Sequence, residues 1–378
     1  MKGPFTITIL LAALLTGCST DKTPQQTIVF QKGENGFDTY RIPAITIAAD
    51  GTLLAFAEAR RNSGSDTGDI DMVVKRSEDG GRTWSEMATV WDDGDNVCGN
   101  PSPVVDQESG RIVLALTWNK GSDHENEILA RTSSDTRKVF LTVSDDNGRT
   151  WSLPEDITSQ TKDQEWTWYA TGPCHGIQLQ SGRIVVPCNH GIFKDGQPAG
   201  YESHVIYSDD IGETWHIGGI VKGFSNESTV AVTGDGSLMI NMRTGGDDRE
   251  ANGFARKVAL SHDQGLSFDE AYYDPGLQEP VCQASLISYS CRKDRFLLFS
   301  NPDNASNRVN LTLKLSRDDG GSWEKVLTLA EGPSAYSDIC VFPNGDVGVL
   351  YETGKDSPYE TITFARVSRR TVHSTGKK

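Results

Sequence analysis

Short apolar runs bounded by turn residues recur along the whole chain, and no stretch carries the 3.6-residue apolar period of a long helix. Runs at residues 52–60, 111–118 and 183–190 follow Gly51, Gly110 and Gly182. The pattern returns at residues 237–243, 295–300 and 346–352, after Gly236, Asp294 and Gly345. Each run is succeeded by a partner strand, at residues 69–77, 138–144, 203–208, 256–261, 310–316 and 361–368. The steps between turn signals are 59, 72, 54, 58 and 51 residues. Six β-rich copies of that length predict an all-β chain, a six-bladed β-propeller of four-stranded blades.

A second repeat sits at the end of the partner strands. It reads Ser77-x-Asp79-x-Gly81-x-Thr83-Trp84, and recurs from Ser144 to Trp151, from Ser208 to Trp215 and, with Ser322 for the threonine, from Ser316 to Trp323. A weaker copy runs from Ser261 to Phe268. Asp and Gly suit a tight turn and the aromatic packs beneath it, so these boxes are structural. The last copy lacks the box, as expected if a strand near residues 27–31 closes the ring. The boxes then line one rim. Arg60, Arg243, Arg308 and Glu352, each at a strand end in a different copy, gather on the other.

Charge narrows the function. The formal net charge is −16, which excludes a general attraction for nucleic acid or anionic membrane; an anionic ligand needs a local arginine cluster. Lys2, the apolar run 7–15 and Leu15-Thr16-Gly17-Cys18 read as an export signal whose end resembles a bacterial lipobox. The expected organisation is therefore a signal over 1–18 with Cys18 lipidated, a polar tether over 19–26 and the propeller over 27–378. The protein is expected to be exported and anchored in the bacterial envelope, touching membrane only through lipid. Six further cysteines allow 15 pairings. No C-x-x-C or H-E-x-x-H motif is present, so neither a metal nor a cofactor is expected.

Tyr40-Arg41-Ile42-Pro43 followed by the Ser-x-Asp boxes resembles the sialidase (neuraminidase) family, exo-acting hydrolases of terminal sialic acid. The resemblance covers essentially everything after the tether. It implies a six-bladed propeller whose partners are sialylated glycans, glycoproteins or glycolipids. It implies that Arg41, Arg243 and Arg308 bind the substrate carboxylate, a task suited to the planar, permanently charged guanidinium. Glu352 is implied to hold Arg41. Tyr336 matches the nucleophile and Glu227 the base that takes its proton. A phenol with a pKa near 10 needs such a base, and a neutral nucleophile avoids repulsion from the substrate's own carboxylate. Asp66, in the Gly- and Ser-rich loop 62–68, matches the acid/base residue, with Asp69 and Asp71 as rivals assigned to the following strand. Arg60 and Asn100 are implied to meet the sugar's 4-hydroxyl region. Residues 164–169, rich in aromatics, offer an aglycone platform or blade packing. Two other readings share the arginines: a trans-sialidase, and a non-catalytic propeller that only binds sialic acid. The binding reading has no need of Asp66, Tyr336 and Glu227.

Overall fold

The computed structural model describes residues 24–246, 249–291 and 294–374; Cys18 and the expected signal lie outside them. The first strand, β1 (Gln25–Gln31), pairs with the last, β24 (Thr361–Val367), and so joins the two ends of the chain. Gln25 and Gln26 thus belong to a strand, which corrects the tether boundary.

The blades follow in order. Blade 1 holds β2 (Thr39–Ile47), β3 (Leu53–Arg60), β4 (Ile70–Ser77) and β5 (Ala88–Trp91). Blade 2 holds β6 (Val97–Val105), β7 (Ile112–Asn119), β8 (Lys138–Ser144) and β9 (Glu155–Asp156), with a short helix α1 (Glu125–Leu129) after β7. A second short helix, α2 (Thr158–Thr161), leads to blade 3: β10 (Trp166–Thr171), β11 (Ile177–Gln178), β12 (Ile184–Lys194), β13 (Gln197–Ser208) and β14 (His216–Val221). Blade 4 is β15 (Ser228–Val232), β16 (Leu238–Met242), β17 (Ala255–Ser261) and β18 (Tyr272–Gln278). Blade 5 is β19 (Ser285–Cys291), β20 (Asp294–Pro302), β21 (Val309–Ser316) and the first half of β22 (Glu324–Val341). The second half of β22 opens blade 6, which continues through β23 (Val347–Thr353) and β24 to β1. The chain ends its described part in α3 (Arg369–Ser374).

Alternation along the strands gives each blade two apolar faces, so hydrophobic cores form between blades. Leu53, Ala55 and Val73 of blade 1 pack on Leu350, Ile362 and Phe364 of blade 6. Equivalent buried clusters lie between blades 1 and 2, 2 and 3, 3 and 4, 4 and 5, and 5 and 6. One core per interface closes the ring.

The boxes staple neighbouring blades rather than hairpins alone. In the first, Asp79 accepts from the Thr83 hydroxyl at 2.7 Å and from the Ser77 hydroxyl at 2.9 Å, and Ser77 Oγ accepts from the Gly81 N–H. Trp84 meets Phe364 of blade 6 edge-on at 5.5 Å, and Trp151 meets Phe56 of blade 1 at 5.6 Å. A Cβ on Gly81 would lie 2.0 Å from the Phe364 ring at φ +91°, so only glycine permits this approach. The weaker copy closes the same way, Ser267 Oγ donating to Asp263 at 2.5 Å. In blade 6, α3 takes the box's place: Val372 is buried in the blade 5–6 core and His373 meets the Tyr289 hydroxyl at 3.1 Å.

Antiparallel pairing sets the two rims apart. Leu53 pairs with Ser77 and Arg60 with Ile70, so the first box and Arg60 mark opposite ends of one sheet. Near the axis, fully buried Asp338 on β22 accepts from Ile45 N–H (2.9 Å), His175 N–H (3.0 Å), His175 Nδ1 (2.6 Å) and the Ser285 hydroxyl (2.8 Å). One carboxylate therefore ties blades 1, 3, 5 and 6 together.

Candidate active site

The innermost strand of each blade faces the axis, and four of them bulge where they reach the upper rim. The registers shift between Arg41 and Ala44, Gly99 and Ser102, Trp166 and Tyr169, and Ser334 and Ser337. Each bulge breaks the strict alternation and re-aims a side chain toward the axis: Arg41, Asn100, Trp168 and Tyr336 lie at them. Ile42 is held at φ +58°, a costly conformation for a β-branched residue. Its N–H donates to Glu352 Oε1 at 2.9 Å, which helps to hold the turn.

Glu352 is the anchor of this wall. Fully buried, it accepts from Arg41 Nε at 2.8 Å, Arg41 Nη2 at 3.3 Å and the Tyr336 N–H at 3.2 Å. Burial alone would depress the Arg41 pKa, but the adjacent Glu352 charge outweighs it and holds the guanidinium well above its ordinary value. Arg41 also lies over the Tyr359 ring, 4.2 Å from its centroid.

Opposite, Glu227 just before β15 and Arg243 just after β16 meet Tyr336. The phenol donates to Glu227 Oε1 at 2.5 Å; Arg243 Nη1 donates to Glu227 Oε2 at 2.6 Å and to the Tyr336 oxygen at 3.1 Å. Burial, then the Glu227 charge, push the phenol well above its usual pKa. It is therefore a protonated phenol in contact with a carboxylate. Arg308, before β21, donates to the Tyr359 hydroxyl at 2.7 Å and the Val281 carbonyl at 2.9 Å.

The third wall comes from blades 1 and 2. Arg60, 2% exposed, donates Nη2 and Nε to Glu58 Oε2 at 2.6 and 3.1 Å and pairs through Nη1 with Asp66 at 2.7 Å. The Asp66 side chain is 69% exposed, as a loop residue open to the cavity must be. The protein walls around the cavity raise its pKa by desolvation, but the Arg60 and Arg41 charges outweigh that and hold the carboxyl below its ordinary value. Asp69 and Asp71 instead pair with Arg61 at 2.7 and 3.0 Å and do not line the cavity. Asn100 accepts on Oδ1 from Arg137 Nη2 and from the Thr117 hydroxyl.

The structure brings these side chains to one cavity of about 750 Å³, lined by Arg41, Arg60, Asp66, Asn100, Glu227, Arg243, Arg308 and Tyr336. Glu352 stands behind Arg41. Of the aromatic run, Trp168 lines the cavity, whereas Trp166 stacks on His190 at 3.6 Å and Tyr169 is buried between blades. The platform reading therefore keeps one ring of three. Cys98, Cys174, Cys188, Cys282 and Cys340 are free and buried, and among the described residues no group of His, Cys, Asp and Glu could hold a metal.

Sequence reading missed Glu58, Arg137 and the pair Glu125–Tyr201, joined at 2.6 Å. Glu58 precedes Arg60 by two strand positions, hence shares its face. Arg137 precedes β8 as Arg308 precedes β21. Both signals were present, in the periodicity and in the repeat.

The chain matches the BNR repeat-like domain over residues 51–349. A sialidase of Bacteroides fragilis is 33% identical over 90% of this chain and 64% of its own length. An exo-alpha-sialidase of Aspergillus fumigatus is 31% identical over 88% and 84% of the two chains. Among solved structures, a Hadza microbial sialidase superposes with a TM-score of 0.81 at 33% identity, over 92% of this chain and 69% of that one. The chain thus spans just under two thirds of the Bacteroides protein.

Proposed function

This chain belongs to the sialidase family, and we propose that it is an exo-α-sialidase that releases terminal sialic acid from glycans, glycoproteins or glycolipids with retention of configuration. The observation that carries the reading is the Tyr336–Glu227 contact of 2.5 Å. A protein that only binds sialic acid gains nothing from a phenol poised on a base.

In this reading the substrate carboxylate sits among Arg41, Arg243 and Arg308 and holds the anomeric carbon over Tyr336. The phenol oxygen attacks that carbon while its proton passes to Glu227. The bond to the leaving oxygen breaks, and Asp66 supplies the proton that oxygen needs. Water then attacks the sialyl–tyrosine bond with Asp66 as base, Glu227 returns its proton to the phenolate, and two inversions give net retention. The carboxylate–guanidinium contacts hold the sugar in place over Tyr336 as positive charge develops on it. Export and lipid anchoring at Cys18 belong to the same proposal, supported by the lipobox-like residues 15–18.

The test is to trap the intermediate. A sialosyl fluoride with fluorine at the neighbouring carbon forms the enzyme adduct quickly and loses it slowly. Mass spectrometry of the digested protein is expected to find the sialyl mass on the peptide containing Tyr336. A turnover-competent protein that carries the label elsewhere, or none, refutes the nucleophile.

A further inference from the structure

The three arginines assigned to the substrate carboxylate are held in different ways. Arg41 rests on Glu352 and Arg243 on Glu227, whereas Arg308 donates to the Tyr359 hydroxyl at 2.7 Å and the Val281 carbonyl at 2.9 Å. The direction of that carbonyl therefore helps to set where the Arg308 guanidinium stands. Val281 is at φ +54°, a costly conformation for a β-branched residue, so the turn has to be held by its surroundings. Glu279 holds it. Its Oε2 accepts from the Cys282 N–H at 2.7 Å, and that N–H belongs to the same peptide group as the Val281 carbonyl. The N–H and C=O of a trans peptide point opposite ways, so a carboxylate that grips the one aims the other at Arg308. Glu279 Oε1 meanwhile accepts from the Thr244 N–H at 2.9 Å and the Thr244 hydroxyl at 2.8 Å, one residue beyond Arg243.

The charge of Glu279 is met on its far side. Arg256 Nη1 lies 3.8 Å from Glu279 Oε2, and both side chains are fully buried. Arg256 also donates to the Cys282 carbonyl at 2.9 Å and to Asn241 Oδ1, so the N–H and the carbonyl of Cys282 are both taken. A carboxylate set directly against Arg308 would fix it too, but would cancel the charge that an anionic ligand needs. We propose that Glu279 is a positioning residue for carboxylate binding: it aims Arg308 through the Val281–Cys282 peptide and, balanced by Arg256, leaves the Arg308 charge to the ligand. The identity of that ligand rests on the sialidase reading; recognition of a carboxylate rests on the arginines alone.

Glu279→Gln breaks one arm of this device. Thr244 presents two donors and Cys282 one, so the amide oxygen turns to Thr244 and the NH₂ meets the Cys282 N–H, donor against donor. The experiment measures Kd for 2,3-unsaturated sialic acid and its 1-carboxamide by calorimetry, and for benzoate and benzamide by NMR titration. The preference for acid over amide is a ratio, which a change in folded fraction does not move. In Glu279→Gln it is expected to narrow roughly 10-fold or more. With Arg308→Met already in place, the same change should narrow it less than about threefold. Asp338→Asn, a loss of buried charge away from the arginines, should leave it unchanged. Should Glu279→Gln fail to fold, Glu279→Asp keeps the charge beside Arg256 but is one methylene short of spanning both donors, and should narrow the preference about threefold or more. A wild type that binds neither sialic acid analogue, yet prefers benzoate to benzamide and loses that preference in Glu279→Gln, sinks the sialidase reading and keeps this one. An undiminished preference in the folded Glu279 variant, equal narrowing with and without Arg308, or the same narrowing in Asp338→Asn overturns the positioning role.

Discussion

Replacing Glu227 by Gln keeps the shape of the site and removes its base, and the cost follows from the phenol. In the native site Tyr336 donates to Glu227 at 2.5 Å, and in the proposed mechanism attack and proton transfer are one event. In Glu227→Gln no carboxylate takes the proton, so attack must draw on phenolate already present. Burial continues to raise the pKa, the Glu227 charge that also raised it is gone, and Arg243 and Arg308 pull it down. Even a free phenol, with its ordinary pKa near 10, is phenolate in only about one molecule in 10³ at pH 7, an effect of about 4 kcal/mol. Turnover of an aryl sialoside is therefore expected to fall roughly 10³-fold. The stronger signature is in pH. The variant's rate should climb about tenfold per unit toward the phenol's pKa, while the wild type lacks that rise. Stopped-flow release of the aryl group from pH 6 to 10, on protein checked by circular dichroism, measures both. A loss under tenfold, or a loss with no dependence on pH, would refute the pairing.

Three further outcomes are expected. Asp338→Asn removes charge from a carboxylate that joins four blades; calorimetry should show destabilisation of about 3 kcal/mol, and an unchanged Tm would deny the axial role. Cys18→Ala should move the protein from the membrane to the soluble fraction with unaltered specific activity, and a wholly soluble wild type would end the lipid-anchor proposal. Asp66→Ala should slow release of sugar alkoxides about 10²- to 10⁴-fold but that of a good phenolate far less; equal slowing of both, or the same dependence in Asp69→Ala, would move the acid elsewhere.

Much of this was written in spacing. The six copies gave the blades because a propeller repeats its strand pairs, and Arg60, Arg243 and Glu352 share one rim because strand polarity repeats with them. The bulges at Arg41, Asn100 and Tyr336 left no mark on the apolar pattern, since a single extra residue is invisible in runs that are buried on both faces. The true partners of the boxes were hidden for another reason: Trp84 reaches Phe364 across the seam of the ring, a contact that only closure creates. Residues 164–169 misled in part because the register of β10 shifts between Trp166 and Tyr169, which parts Trp168 from the rings on either side of it. Trp168 takes the cavity side, and Tyr169 the core.

The ion pair of Asp66 with Arg60 looks opposed to the acid role proposed for it, and the charges of the cavity resolve it. Six arginines and five carboxylates line the wall, so a chain of net charge −16 receives an anion in a nearly balanced pocket. Arg41, Arg60 and Arg243 each hold an internal carboxylate, whereas Arg308 rests on a hydroxyl and a carbonyl. Among the described residues it is therefore a cation with no carboxylate in ion-pair reach, and in the proposed function it supplies much of the attraction for a substrate carboxylate. Once that anion sits among the arginines, it offsets the Arg41 charge that helps to keep Asp66 ionised. The carboxyl's pKa is then expected to rise from its lowered position, by the same Coulomb effect that lowered it. A lowered pKa gives a group that is protonated only at low pH, and raising it extends the protonated form upward. In the proposed mechanism the substrate thereby prepares its own acid, and pH profiles of the two parameters are expected to show the alkaline fall of kcat at higher pH than that of kcat/KM; coincident falls would refute this coupling.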